Sequence, residues 1–136
     1  MFDPKLKEKI NTKIQDGEFE ISDLPAFFEV FSQLGNQVED LQDEVDEWDC
    51  VVEFEMVESG TYWLSIEDGQ FTTGIGSHPE TRLRLIMAAS DAVKIFSGEK
   101  DAEAALNSGE LKLEGDLPDA IKLHFLIELV LEEIEN

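Results

Sequence analysis

The stretch Gly98–Ile127 places the tightest constraint on how this chain folds. Small residues dominate 101–107 and predict a short helix, which Gly109 would end as a left-handed C-terminal cap. Residues 110–114 then alternate polar and apolar side chains, as a half-buried strand does. Asp116 is a helix cap ahead of an apolar helix that runs to the C-terminus. The stretch therefore predicts a strand between two helices.

The sequence between Val51 and Met87 has the two-residue period of strands. Hairpin turns are indicated at Ser59-Gly60 and at Asp68-Gly69. Inward positions on four successive strands are predicted at Val52, Phe54, Met56, Tyr62, Leu64, Ile66, Phe71, Thr73, Ile75, Leu83, Leu85 and Met87. A helix capped by Ser90 or Asp91 follows. With the strand at 110–114, the prediction is an α+β fold with a five-stranded, mostly antiparallel sheet and helices covering one face.

The first fifty residues predict helices rather than strands. Asp3–Asp16 forms a short amphipathic helix with proline at its first position. A second helix begins after Ser22 or Asp23 and is expected to break at Gly35-Asn36, since both residues weaken helix interiors. Its apolar seam repeats at spacings of four and three at Phe27, Phe31, Leu34, Val38, Leu41, Val45 and Trp48. We predict a single domain over 1–136, with N-terminal helices in 1–50 and a strand-rich core and C-terminal helix in 51–136.

Both N-terminal helices allow two interpretations. Lys5, Lys9 and Lys13 form a basic stripe, which permits transient membrane contact through residues 4–15. The alternative, which we favour, is a packing helix whose lysines balance an acidic body. The seam of the second helix permits a coiled-coil homodimer. Acidic residues flank it and would repel across a parallel pair, so packing onto the chain's own sheet is favoured.

The formal charge of −22 excludes several functions. Nucleic-acid binding depends on neutralising phosphates with lysine and arginine, which number only 10 against 32 acidic residues, so no nucleic-acid partner is expected. The acidic run Asp40–Asp49 lacks the glycine of a calcium loop. No segment approaches the roughly 18 apolar residues that span a bilayer, and the lysines of the first residues precede no apolar segment of a secretory signal. A cytoplasmic location is expected.

Catalytic and metal-binding patterns are sparse. His78 lies in a predicted loop and His124 on the last helix, and neither has a sequence neighbour that marks a nucleophile or a metal pair. Cys50 is the only cysteine, which excludes a disulfide framework and a multi-cysteine zinc site. We expect no catalytic residues, no metal and no cofactor, and therefore no enzyme.

The ordered series of elements resembles a known family. The small-residue helix, the strand G-x-L-x-L-x-G at 109–115 and the closing apolar helix resemble the end of a sterol carrier protein type 2 domain. The resemblance extends back through GTYWLSIEDGQF and TRLRLIM to about Val51. It implies an internal apolar cavity that holds a fatty acyl, sterol-like or polyprenyl ligand without a covalent step.

The last helix carries apolar residues on more than one stripe, so it either packs on two sides or borders a cavity. The resemblance favours the cavity. Inward strand positions and apolar helix faces then nominate as lipid-binding residues Phe54, Tyr62, Leu64, Phe71, Leu85, Met87, Phe96, Leu106, Phe125, Ile127 and Leu131. Two alternatives remain, an accessory protein that presents isoprenoid quinone intermediates to enzymes and a filled-core interaction or dimerisation domain.

Overall fold

A computed structural model describes residues 2–135 of the chain. Within this range helices and strands follow one another as α1 (Pro4–Gln15), α2 (Leu24–Gln37), α3 (Glu39–Glu44), β1 (Cys50–Val57), β2 (Gly60–Glu67), β3 (Gln70–Ile75), β4 (Leu83–Ala88), α4 (Ala89–Phe96), α5 (Ala102–Ser108), β5 (Leu111–Glu114) and α6 (Leu117–Glu135). One turn of 3-10 helix at Ile21–Asp23 joins α1 to α2. Gly109 ends α5 with a φ of 87°, which is the left-handed cap that the sequence predicts.

The five strands form one sheet in the order β3-β2-β1-β4-β5. Three of the four pairings are antiparallel, and the pairing of β1 with β4 is parallel, with Val52 opposite Leu83. The loop after β3 therefore carries the chain past β2 and β1 before β4 begins. The predicted α+β fold and mostly antiparallel sheet are confirmed.

Aromatic rings close the centre of the sheet's inner face. The Phe28 ring on α2 stacks on Phe54 of β1 at a centroid separation of 4.9 Å and meets Phe96 of α4 edge-on at 5.3 Å. Phe27 and Tyr62 extend the same cluster at 5.8 and 5.6 Å from Phe28. Such offset and edge-to-face pairs fill space densely. The middle of the sheet is therefore packed with the chain's own side chains.

The predicted helix break at Gly35-Asn36 is wrong, because both residues lie inside α2 and the break comes at Val38, whose backbone is extended. Both residues contact β3. The Asn36 side chain donates to the Phe71 carbonyl at 2.9 Å and accepts from the Phe71 amide at 2.7 Å. It thereby pairs backbone groups on the free edge of the sheet. Gly35 lets the Phe71 ring lie directly against the helix backbone.

Replacing Gly35 with alanine should destabilise the protein. A Cβ at this position would lie 2.5 Å from Phe71 Cγ, and the Phe71 ring is almost fully buried, so the ring or the helix would have to shift within the core. Overpacking of this kind costs about 1–3 kcal/mol, which outweighs the gain of about 0.5–1 kcal/mol that alanine brings at an open helix position. Urea unfolding should report a net loss of about 1 kcal/mol. In a Phe71→Leu background the same change should cost less, and an equal cost would contradict the proposed clash.

The apolar seam of the N-terminal helices is used within the chain. Phe27, Phe31 and Leu34 of α2, and Leu41 of α3, are buried in the common core.

The prediction that Ser90 or Asp91 caps the next helix is wrong, since α4 begins at Ala89 directly after β4. The inward pattern of β3 also stops short, because Ile75 at the end of this edge strand is 78% exposed.

The outer face of the sheet carries a buried carboxylate. Glu53 on β1 is 2% exposed and lies 3.6 Å from Arg84 Nη2. It also accepts hydrogen bonds from the Thr81 hydroxyl and from the His78 backbone amide, which anchors the loop between β3 and β4. The Trp63 ring packs edge-on against His78 at 4.8 Å. Polar and aromatic contacts with the loop between β3 and β4 therefore cover this part of the outer face.

Candidate functional site

An apolar cavity of about 400 Å³ lies between α5 and α6, at the β5 end of the sheet. The residues that line it are mainly aliphatic and come from β4, α5, β5 and α6: Leu85, Ala102, Glu103, Leu106, Asn107, Leu111, Leu113, Leu117, Ala120, Ile121, Leu123, His124, Phe125 and Ile127. Glu103, Asn107 and His124 are the polar members. The volume falls in the range of small-molecule sites, roughly 300–1,000 Å³.

Small side chains on the two helices leave this space open. Ala105 of α5 is buried, and α5 packs directly on β5. Ala102 and Ala120, one from each helix, line the cavity where larger residues would fill it. The small-residue helix that the sequence indicates therefore forms one wall of the cavity, and α6 forms another.

The last helix has two apolar faces, one in the core and one beside the cavity. Its inner face, which includes Leu123, Leu126 and Val130, is buried in the core. The second stripe, at positions four residues apart, consists of Leu117, Ile121 and Phe125, each exposed by 51–55% and each lining the cavity. Half-exposed large apolar side chains beside a cavity indicate its mouth.

Asp119 fixes the beginning of α6. Its carboxylate is buried, accepts a hydrogen bond of 2.9 Å from Trp48 Nε1, and pairs with Arg82 Nε at 2.9 Å. The residue lies in the first turn of the helix, where the helix dipole favours a negative charge. These contacts hold the helix end that carries Leu117, Ala120 and Ile121 over the cavity.

A second charged group holds the turn before α5. Lys100 Nζ lies 3.2 Å from Asp91 Oδ1 of α4 and also pairs with Glu110 ahead of β5. The hydrogen bond with Glu110 raises the pKa of Lys100, and the same bond lowers the pKa of Glu110. Lys100, just before α5, is thereby linked to Glu110, just after α5, and to Asp91 of α4.

Cys50 is buried near Asp119 and is not one of the residues that line the cavity. Burial raises the pKa of its thiol to about 11, from 9.0, and the charge of Asp119 adds to the effect. The native state keeps a proton that the unfolded chain loses above pH 9, so the stability from this thiol is complete below pH 9 and is lost as the pH rises to 11.

We expect the wild type to lose about 2 kcal/mol more stability between pH 8.5 and 11 than Cys50→Ala, since each unit of pKa shift is worth about 1.4 kcal/mol. Chemical unfolding of both proteins across this range measures the difference. Parallel pH profiles would contradict a protonated, buried thiol.

The residues nominated from the sequence fall in two places. Leu85, Leu106, Phe125 and Ile127 line the cavity. The others pack in the closed core or against it: Phe54, Tyr62, Leu64, Phe71, Met87, Phe96 and Leu131. Sequence reasoning did not nominate Leu111 and Leu113, although their alternation on β5 marks them as inward. It also missed Leu117 and Ile121, which the four-residue spacing with Phe125 would have identified.

One cluster of metal-ligating side chains lies at the rim, considering only the residues that the structure describes. It consists of Asp101, His124 and Glu128. His124 Nε2 lies 2.6 Å from Glu128 Oε1 and 3.8 Å from Asp101 Oδ1. His78 stands apart from this group, and its Nδ1 accepts a hydrogen bond from the Glu80 amide.

Comparison with family models and with known proteins points to one family. The model of the SCP-2 sterol transfer family matches residues 31–128, a range that includes every residue lining the cavity. Hydroxysteroid dehydrogenase-like protein 2 of Xenopus tropicalis is 33% identical over 72 residues. That match covers 52% of this chain and 17% of the frog protein, so the chain spans a small part of the curated relatives it resembles.

Solved structures share the fold. A structure described as UbiJ-SCP2 ubiquinone synthesis protein superposes with a TM-score of 0.60 at 20% identity, over 78% of this chain and 96% of that one. A crystal structure of sterol carrier protein 2 superposes with a TM-score of 0.59 at 13% identity, over 79% and 95%. Within residues 2–135, no helix is long and apolar enough to cross a membrane.

Proposed function

Because the chain belongs to the SCP-2 sterol transfer family, we propose that it is a non-catalytic carrier that holds an apolar lipid in the cavity between α5 and α6. The observation that carries the proposal is the apolar cavity whose mouth is formed by Leu117, Ile121 and Phe125. Such large apolar side chains cost free energy while they face water. A lipid chain that covers them recovers that cost.

Apolar burial alone suffices for useful affinity. Each buried methylene contributes about 0.8 kcal/mol, so roughly twelve contribute about 10 kcal/mol before the cost of association. We propose Leu85, Leu106, Phe125 and Ile127 as chain contacts, together with Leu111 and Leu113 at the β5 wall. The ligand that we propose is a fatty acyl, sterol-like or polyprenyl lipid.

The rim favours an uncharged headgroup. Glu103 lines the cavity, and Asp101 and Glu128 lie beside His124 at its edge. The overall charge of −22 adds to a negative potential at the mouth. A fatty alcohol should therefore compete better than the fatty acid of equal chain length, and this comparison separates headgroup effects from chain effects.

Native mass spectrometry of the freshly purified protein tests the proposal. A stoichiometric adduct that organic extraction removes would support a carrier and would identify the lipid. The delipidated protein should then bind a fluorescent fatty acid that unlabelled lipids displace. A bare mass together with no binding of the fluorescent probe would refute the carrier proposal.

An accessory role in quinone synthesis is the second candidate. Its support is the likeness in fold to a ubiquinone synthesis protein and an acidic surface suited to a basic enzyme partner. This role requires a polyprenyl lipid in the extract. If the extract holds no lipid and the native mass is that of a dimer, the third alternative, a filled-core dimerisation domain, is favoured instead.

Membrane contact through residues 4–15 would have to use the lysines of α1. Ile10 is fully buried, and Leu6 and Ile14 pack against the core, so the apolar stripe of the helix is occupied. Lys13 pairs with Asp23 at 3.0 Å. These contacts support packing as the role of α1.

A further inference from the structure

We propose that Asp101, His124 and Glu128 form a binding site for a divalent transition-metal ion, with Zn²⁺ as the best match. The imidazole nitrogen and two carboxylate oxygens of these residues lie within 4.8 Å of one another. They come from both helices that border the cavity, since Asp101 is the N-cap of α5 and His124 and Glu128 lie one turn apart on α6. The site does not depend on lipid binding.

The separations suit a metal after small side-chain movements. Zn²⁺ binds nitrogen and oxygen ligands at about 2.0–2.2 Å, which places tetrahedral ligand atoms about 3.3 Å apart. The His124–Glu128 separation of 2.6 Å would open, and the His124–Asp101 separation of 3.8 Å would close. The Asp101 and Glu128 side chains are more than half exposed, whereas the His124 side chain is only 24% exposed, so these shifts fall mainly on the two carboxylates.

The carboxylate of Asp101 is already oriented for this role. Its Oδ2 accepts a hydrogen bond of 3.1 Å from the Ala104 amide at the start of α5, and Oδ1 is the oxygen that faces His124. Outer contacts of this kind hold metal ligands in position. The neighbouring cation, Lys100, is directed to Asp91 and Glu110 and does not neutralise the site.

The donor set selects the class of ion. Imidazole with carboxylates suits Zn²⁺ and related transition metals, whereas Ca²⁺ and Mg²⁺ prefer sites made of oxygen alone. The fourth position of a tetrahedral ion would hold water. Because the ligands belong to α5 and α6, a bound ion would tie these helices together at the rim of the cavity.

The test is a Zn²⁺ titration of the chelator-treated full chain against a fluorescent zinc indicator. A millimolar excess of Mg²⁺ occupies the general acidic surface. We expect one site per chain, and we expect His124→Gln to weaken it by about tenfold or more, since even loss of an outer contact costs that much. His78→Gln, which alters the other histidine, should leave binding unchanged.

A second pair of variants guards against misfolding of His124→Gln. Glu128→Gln should also weaken Zn²⁺ binding, while Glu132→Gln, one turn further along α6, should not. In NMR spectra the imidazole signals of His124 should shift on addition of Zn²⁺ and those of His78 should not. Equal affinity in wild type, His124→Gln and Glu128→Gln, or no single site above the Mg²⁺ background, would overturn the proposal.

Discussion

Replacing Ala102 with phenylalanine should lower the affinity for a lipid chain about tenfold or more. Ala102 lines the cavity from the first turn of α5, and an added ring would occupy space that the ligand needs. Displacing two methylenes from the cavity forfeits about 1.6 kcal/mol, and 1.4 kcal/mol is already a factor of ten. Displacement of a fluorescent fatty acid by unlabelled lipid measures the change.

The matched control is Ala104→Phe. Ala104 lies on the same helix, is exposed, and is absent from the cavity lining. The same side chain added there should change lipid affinity less than twofold. Both variants should keep the wild-type far-UV circular dichroism spectrum. Equal affinities in the two variants would place the ligand somewhere other than between α5 and α6.

The fold was largely predictable because its signals are local. Alternating side chains between Val51 and Met87 specify strands, and the turns at Gly60 and Gly69 need the positive φ that they show. Gly109 likewise stops α5 in a conformation that costs other residues more. Each of these features depends on residues close in sequence. None requires knowledge of what packs across the domain.

Contacts between distant segments were not predictable in the same way. Gly35 and Asn36 weaken an isolated helix, yet in the protein they dock on Phe71, which lies 35 residues after Asn36. The parallel pairing of β1 with β4 is also invisible to periodicity, because a two-residue repeat carries no strand order. Tertiary contact overrides local preference at these positions.

The cavity illustrates the same limit. A strand position that faces inward is buried whether a side chain or a ligand covers it, so alternation cannot distinguish core from cavity. Phe54 and Leu85 both face inward, on neighbouring strands. Phe28 of α2 covers Phe54, whereas α5 leaves space near Leu85 because its residues are small. Whether an inward strand position lies in the core or in the cavity therefore depends on which helix covers it and on how large the side chains of that helix are.

This distinction leads to opposite expectations for two phenylalanines. Phe54→Ala should lower the free energy of unfolding by about 3–5 kcal/mol, because the ring is fully buried and its loss leaves a void. It should leave the lipid affinity of the folded protein within twofold of wild type. Phe125→Ala should cost about 1 kcal/mol or less, since its ring is half exposed, and should weaken lipid binding several-fold.

Urea unfolding and probe displacement on both variants measure the two effects separately. The substitution is the same, so the difference between the variants reports position alone. Phe125 supplies one side of the cavity mouth and Phe54 stacks on Phe28 at the centre of the sheet. If Phe54→Ala weakened lipid binding as much as Phe125→Ala does, the lipid chain would have to reach the centre of the sheet and displace the aromatic cluster there.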